Sequence, residues 1–286
     1  MKLERGSMDM KSKSKKKKVF LKERLINEEW FQTEKEALTW VMMKRVLVDD
    51  QPVISINERI NEDAIIRVKE YYRKKYVNKG GLKIEKAIEK FAVEVQDKVA
   101  LDCGASMGGF TDCLLQHGAK SVYAVDVGHG QLAGKLLIDE RVVNLERTNI
   151  SDEKLLTLDP APQLITLDLS YLSLKKAVPI ALKIMNHSGV LLCLIKPTYE
   201  VYNSEVRKDG DINEPHIHKE ILSDLLAFFK EINLQIIGLT NSAVRGNNGT
   251  IEYVIGLTTD LMQPETLDID QTIEEAFKLE KFNKNS

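Results

Sequence analysis

KVALDCGASMGGFTDCLLQHGAKSVYAVDVGHGQ, residues 98–131, decides the fold. Val99 to Leu101 is a short apolar run of strand type. It breaks into a loop of small residues, Gly104, Ala105, Ser106, Gly108 and Gly109. Phe110 to Gln116 then has helical spacing, and a second apolar run, Val122 to Val125, ends in Asp126 and Gly128. Strand, small-residue loop, helix, strand and acid are the opening of a doubly wound α/β domain that takes a nucleoside at its strand tips. Glycines let the backbone approach a ligand closely, and an acid at the second strand tip is placed to accept two hydrogen bonds from ribose hydroxyls.

Two cofactor classes use this layout. The dinucleotide fingerprint requires G-x-G-x-x-G, but the phasing here is Gly104, Ser106, Gly109, and the middle glycine is missing. Asp102 sits in the first strand just before the loop, which suits a ligand with a cationic amino-acid end better than a pyrophosphate. S-adenosylmethionine has such an end, and D-x-G-x-x-x-G-G resembles the loop that binds it in class I methyltransferases. Another nucleotide, or a purely structural turn, stays open from the loop alone.

Composition narrows the setting. A chain of 286 residues, 43% hydrophobic, is long enough for a sizeable core in one or two domains. Cys103, Cys113 and Cys193 have no metal-ligand spacing, so the expectation is a reduced, cytoplasmic protein without a metal. No segment reaches the roughly 18–20 apolar residues that span a bilayer, and the Lys-rich beginning lacks the apolar core of a secretory signal. The net charge of −2 conceals an asymmetry. Residues 1–90 carry 23 Lys and Arg against 15 Asp and Glu, and residues 91–286 carry 18 against 28. A basic front and an acidic back suggest an anionic partner gripped from the front.

Residues 1–18 read as a basic, disordered arm able to contact phosphates. Residues 19–70 read as a small unit: helices over Val19 to Trp30 and Glu34 to Met43, strands over Val46 to Val48 and Val53 to Ile56, and a closing strand over Ala64 to Val68. Thr33 is the expected N-cap of the second helix, with Glu36 completing a capping box. EKEALTWVMMKRVLVDDQPV resembles an S4-type RNA-binding domain. That resemblance gives Lys35, Lys44 and Arg45 to RNA, with Lys44 and Asp49-Asp50 standing where the family usually has a glycine and an Asn-Gly turn. Residues 71–81, YYRKKYVNKGG, form a basic, aromatic linker in which Arg73, Lys74 and Lys75 are further candidates for RNA contact.

Leu82 to Phe91 has the spacing of a helix packed on a sheet, with Lys83 on its first turn. After the opening stretch the chain alternates β and α. Gln131 to Ile138 is an expected helix and Arg141 to Leu145 a strand, followed by Asn149, which could reach an adenine. A strand over Leu164 to Leu167 ends in Asp168, and one over Val190 to Ile195 ends in Lys196. A loop over 198–217 is long enough to be functional. Leu234 to Leu239 and Ile251 to Leu257 are the last strands, with Glu252 beginning the final one, and 261–286 is a polar, helix-prone tail. Lys83, Asp168, Lys196 and Glu252 thus converge on the cofactor edge. Two lysines and two acids suit methyl transfer to a ribose hydroxyl, a poor nucleophile that must lose its proton as carbon is attacked. Base methylation more often uses an Asp/Asn-Pro-Pro-aromatic run, whereas Asp168-Leu169-Ser170-Tyr171 has no proline.

From about residue 20 to 258 the chain resembles the TlyA (hemolysin A) family, an S4 domain fused to an FtsJ-like rRNA 2′-O-methyltransferase. The most specific segments are YVNKGGLKIEKA, the 98–131 region, RVVNLERTNI, LDLSYLSL and LIKP. The resemblance implies an α/β class I fold, Rossmann-like, with a seven-stranded, mostly parallel sheet over 82–260, behind a small α+β S4-like domain. It places the catalytic tetrad on Lys83, Asp168, Lys196 and Glu252. It places S-adenosylmethionine on Asp102, Gly104, Ala105, Ser106, Gly108, Gly109, Phe110, Asp126 and Asn149. It implies cytidine 2′-hydroxyls in ribosomal RNA as substrate and ribosomal subunits as partners, with no metal and no membrane. Two rivals remain: a non-catalytic RNA- or ribosome-binding factor that keeps the cofactor as a ligand, and a membrane-active hemolysin.

Overall fold

A computed structural model describes residues 17–28, 30–31, 33–68, 75–170, 172–186, 188–201, 212–246, 249–261 and 267–279. The expected basic arm, except Lys17 and Lys18, lies outside these residues, as do Arg73 and Lys74. The chain divides into two units, Met1–Arg73 and Lys74–Ser286.

The first unit begins with a strand, not a helix. β1 (Lys18–Phe20) pairs antiparallel with β4 (Arg59–Asn61), and α1 (Leu21–Asn27) starts only afterwards. The expected strand at Val53 to Ile56 is irregular instead, because its backbone serves the helix. The Lys22 N–H donates to Ile56 O at 3.0 Å and Leu21 N–H to Glu58 O at 2.8 Å, satisfying amides that a helix start leaves free. α2 (Glu34–Met42) is capped as expected, Thr33 Oγ1 accepting from the Glu36 N–H at 3.2 Å. A small sheet in the order β3 (Gln51–Pro52), β2 (Val46–Val48), β5 (Ile66–Val68) follows. Leu21, Leu25, Phe31, Ala37, Val41, Val46 and Ile60 form its core.

The second unit is built on one seven-stranded sheet in the order β11-β12-β10-β9-β6-β7-β8. β6 (Val99–Cys103), β7 (Ser121–Val125), β8 (Val142–Leu145), β9 (Leu164–Leu167) and β10 (Val190–Ile195) are parallel; β12 (Tyr253–Thr258) runs antiparallel between β10 and β11 (Gln235–Asn241). Every residue of β6, β9 and β12 is buried, so these strands read as continuous apolar runs rather than alternating ones. α3 (Gly80–Lys90), α4 (Gly109–Gln116), α5 (Gly134–Leu137), α6 (Leu174–Ile184), α7 (Pro197–Glu200), α8 (Pro215–Glu231) and α9 (Ile269–Phe277) connect or flank the strands. α5 is shorter than its apolar spacing suggests, because the Ala133 N–H is drawn onto Met107 O at 3.2 Å. α7 occupies the start of the expected long loop, of which 202–211 lie outside the described residues. The chain leaves β6 for β7 and β8, then returns to β9 on the other side. The switch point is therefore between β6 and β9, the place where a doubly wound sheet opens a crevice for ligand.

Candidate active site

The loop after β6 is shaped by backbone constraints. Gly104 and Ala105 N–H both donate to Val125 O, at 2.8 and 3.1 Å, which ties the loop to the tip of β7. Gly104 has φ +86°, and a Cβ there would lie 2.3 Å from the Asp168 carbonyl, so only glycine lets the two strand ends approach. Ser106, at the missing middle glycine, adopts φ +48° all the same. Asp102 is fully buried. Its Oδ2 accepts from the Thr111 N–H at 2.9 Å and the Thr111 hydroxyl at 2.7 Å, and its Oδ1 from the Thr166 hydroxyl at 2.9 Å. Its carboxylate therefore clamps β6, α4 and β9 together.

A cavity of about 430 Å³ opens at the switch point. Gly104 and Ser106 line it from β6, Asp126 and Val127 from β7, Asn149 and Ile150 from beyond β8, Asp168 and Leu169 from β9, and Lys196 from β10. Ala105, Gly108, Gly109 and Phe110 are not among its lining. A Cβ on Gly108 would meet Leu132 and Leu136, and one on Gly109 would meet the Asn78 side chain and Gly81 N, so these glycines admit close packing behind the loop. Asp126 accepts from the Ser106 N–H at 2.8 Å and the Gly128 N–H at 2.7 Å, and each carboxylate oxygen retains a further acceptor site. Asn149 Oδ1 is engaged by Ser151 in a local turn, at 3.0 Å from N and 2.9 Å from Oγ. The donor set fits an elongated nucleoside cation: a carboxylate for a ribose diol, apolar walls at Val127, Ile150 and Leu169, and an anion, Asp168, at the far end.

Strand register assembles the charged residues. Cys193 pairs with Leu167 and Ile195 with Tyr253, so Asp168, Lys196 and Glu252 follow one another at the tips of β9, β10 and β12. They resolve into two ion pairs. Lys196 Nζ contacts Asp168 Oδ1, with the Ser170 hydroxyl at 3.5 Å. Lys83 reaches in from α3, and its Nζ lies 2.5 Å from Glu252 Oε2, both side chains being buried. The first pair lines the cavity and the second does not.

Several residues that shape the surroundings of the cavity gave no signal in the sequence. Thr111 and Thr166 offset part of the cost of burying Asp102. Asp112 binds the Val77 N–H at 2.8 Å and Lys135 Nζ at 2.9 Å, holding 75–81 and α5 to α4. Glu200 caps α6, accepting from the Ser173 hydroxyl at 2.6 Å and Leu174 N–H at 2.8 Å. Lys75 is paired with Glu85, which also accepts from the Tyr76 hydroxyl at 2.8 Å. Glu85 lies near Glu89 and His117, with ligand atoms within 4.8 Å of one another, but the lysine already occupies it. All three cysteines are buried and unbridged, and burial pushes the Cys113 thiol up to about 12, away from nucleophilic use. No helix among the described residues is long and apolar enough to cross a membrane.

The sheet order, the switch-point cavity and the glycine loop define a class I, S-adenosylmethionine-dependent methyltransferase. Residues 76–259 match the model of the FtsJ-like methyltransferase family. Hemolysin A of Brachyspira hyodysenteriae is 37% identical over 235 residues, which cover 82% of this chain and 97% of that protein. The 16S/23S rRNA (cytidine-2′-O)-methyltransferase TlyA of Mycobacterium tuberculosis is 32% identical over 215 residues, covering 75% and 80%. A solved structure of a candidate hemolysin from Streptococcus thermophilus superposes with a TM-score of 0.68 at 33% identity, over 94% of this chain and 98% of that one. The chain belongs to the FtsJ-like methyltransferases and, among them, to the TlyA and hemolysin A group.

Proposed function

We propose that this protein methylates a ribose 2′-hydroxyl of ribosomal RNA, a cytidine as in its named relatives, using S-adenosylmethionine. The observation that carries the reading is the pair Lys196–Asp168 lining the cavity, one strand away from Lys83–Glu252. The cofactor, when bound, supplies an electrophilic methyl group. Asp126 takes its ribose diol, Asn149 and Ile150 flank the adenine, and Gly104 and Ser106 let the backbone approach. Asp102 acts on the loop, and Gly108, Gly109, Ala105 and Phe110 support it from behind.

Lys196, after giving up its own proton to solvent, accepts the proton of the acceptor hydroxyl as that oxygen attacks the methyl group, and Asp168 holds the amine in line. The Lys83–Glu252 pair places a second cation to hold the developing alkoxide or the adjoining phosphate. RNA is gripped from the front, through Lys35, Lys44 and Arg45 of an S4-like unit together with Arg73, Lys74 and Lys75. The substrate places the protein in the cytoplasm, on ribosomal subunits.

The test is Lys196→Ala, assayed with labelled S-adenosylmethionine on rRNA from a strain lacking this protein. Cofactor affinity is expected to persist while transfer falls by about 10²–10⁴-fold, the usual worth of a positioned base. Wild-type transfer by that variant would overturn the mechanism. Cofactor binding by the wild type with no transfer to any rRNA would favour a non-catalytic binding factor instead.

A further inference from the structure

The C-terminal segment plays no part in the mechanism above, yet it reaches both flanks of Glu252. On the N-terminal flank is the connection between β11 and β12. Its described residues are fastened by the Gly246 N–H on Thr250 O at 2.8 Å and the Ser242 N–H on Glu252 O at 2.9 Å. Gly246 is packed so closely under the carboxylate that a Cβ would lie 2.3 Å from Glu252 Oε1. Whatever holds Arg245 and Gly246 therefore holds Glu252. Lys79 does so from one side, its Nζ donating to Arg245 O at 3.1 Å and Gly246 O at 3.0 Å.

Arg245 does so from the other side. It is only 7% exposed. Nη1 donates to Gly249 O at 3.0 Å within the connection, while Nε donates to Leu279 O at 2.8 Å and Nη2 to Phe277 O at 3.4 Å. The last two are carbonyls at the end of α9, where a helix leaves acceptors unsatisfied and its dipole favours a cation. On the C-terminal flank, the Tyr253 hydroxyl contacts His218 Nδ1 at 2.8 Å. The His218 ring stands edge-on to Phe277, 5.1 Å between centroids. Phe277 and Leu279 thus hold Arg245 directly on one side of Glu252, and Phe277 reaches Tyr253 on the other side through the His218 ring. A buried guanidinium deprived of two of these three acceptors would carry a desolvation cost, so the position of Arg245 depends on α9.

We infer that α9 and Arg245 form a latch that positions Glu252, and through it Lys83, on the acceptor side of the site. Arg245 is a positioning residue, not a catalytic one, and the inference rests on the assignment of Glu252 to the catalytic machinery.

A double-mutant cycle in the full-length chain tests it, with kcat, KM for S-adenosylmethionine and thermal melting measured for Arg245→Met, Glu252→Gln and the double variant. Arg245→Met is expected to lower kcat by about tenfold, ~1.4 kcal/mol of barrier, with KM for the cofactor unchanged, since Arg245 does not line the cavity. The double variant is expected to be no slower than Glu252→Gln alone, because both changes act through one carboxylate. Arg245→Lys, which keeps the charge and a donor, is expected to recover part of the rate. Additive losses, or a fall in cofactor affinity matching the fall in kcat, would overturn the latch while leaving the assignment of Glu252 intact. Full activity of Glu252→Gln would overturn that assignment and the latch with it. Should Arg245→Met not fold, Phe277→Leu removes the ring from His218 while keeping an apolar side chain, and the same non-additivity with Glu252→Gln is required of it.

Discussion

Asp102 shows most sharply how a residue foreseen in the sequence can serve a different end. The small-residue loop singles it out, and the structure puts it at the centre of the fold rather than in the cavity. Burial pushes its carboxyl up from the ordinary 3.8 to about 6; hydrogen bonds from Thr111 and Thr166 oppose the rise, and the charge of Asp168 adds to it. A carboxyl whose folded pKa lies above its unfolded value binds its proton more tightly in the folded state. Stability from this group is present below about pH 4 and is lost as pH rises to about 6, some ~3 kcal/mol in total. Asp102→Asn cannot ionise. Its stability relative to wild type is expected to improve by that order between pH 4 and 6.5, as followed by denaturant melts across the range. Parallel stability curves for the two proteins would remove Asp102 as the titrating group. The sequence marks Asp102 because its neighbours are local, but Thr166 lies 64 residues away and meets it only through the β6–β9 pairing. Asp168, Lys196 and Glu252 were legible for the opposite reason: each adjoins an apolar run, Asp168 and Lys196 at the ends of parallel strands and Glu252 just before the antiparallel β12, which starts at the same edge.

At the scale of elements, the positions at which the front unit departs from the expected S4 pattern all adopt left-handed backbone. Lys44 stands where that family has glycine, and its φ is +55°. The Lys44 N–H donates to Val41 O at 2.9 Å and the Arg45 N–H to Trp40 O at 3.1 Å, so the left-handed residue closes α2 in a Schellman-type motif. Asp49 and Asp50 replace the Asn-Gly turn and also have positive φ, +49° and +65°, the conformation of a two-residue type I′ hairpin. Asp49 offsets part of its strain by accepting the Ile65 N–H at 2.9 Å. A lysine held in the left-handed region costs roughly 1 kcal/mol relative to glycine. Lys44→Gly is therefore expected to slow hydrogen exchange in α2 and β2 of the full-length protein by about that free energy, while weakening RNA binding. Faster exchange would mean that the lysine stem contributes more packing than the strain removes, and unchanged RNA affinity would take Lys44 out of the interface. Helix and strand assignments failed where backbone groups were needed elsewhere. β1 displaces the start of a helix whose apolar spacing is sound, and the expected strand at Val53 to Ile56 gives its last carbonyl, that of Ile56, to the start of α1. Periodicity reports which side chains are buried, not which amides are already spoken for.

For the molecule as a whole, charge is distributed by unit. Residues 1–73 carry 17 Lys and Arg against 13 Asp and Glu, and residues 74–286 carry 24 against 30. The second unit alone is acidic, yet the proposed substrate is a polyanion. Within the first unit Lys35 and Lys44 are exposed, and the Arg45 guanidinium lies 5.9 Å from the centre of the Trp40 ring, a cation–π distance. Arg67, by contrast, is paired with Asp50 at 2.8 Å and has less to offer a phosphate. The cavity is lined only by residues 103–196. The cofactor and the acceptor grip are therefore separable by deletion. A chain beginning at residue 74 is expected to bind S-adenosylmethionine as the full-length protein does. It is expected to bind rRNA more weakly and with a flatter dependence on salt, since each lost phosphate contact removes about 0.7–0.9 from the slope of log K against log salt. Filter binding over a salt series, with calorimetry of the cofactor in parallel, separates the possibilities. An unchanged slope would assign the phosphate contacts to the acidic unit. Loss of cofactor binding would show that the first unit shapes the cavity from outside its lining.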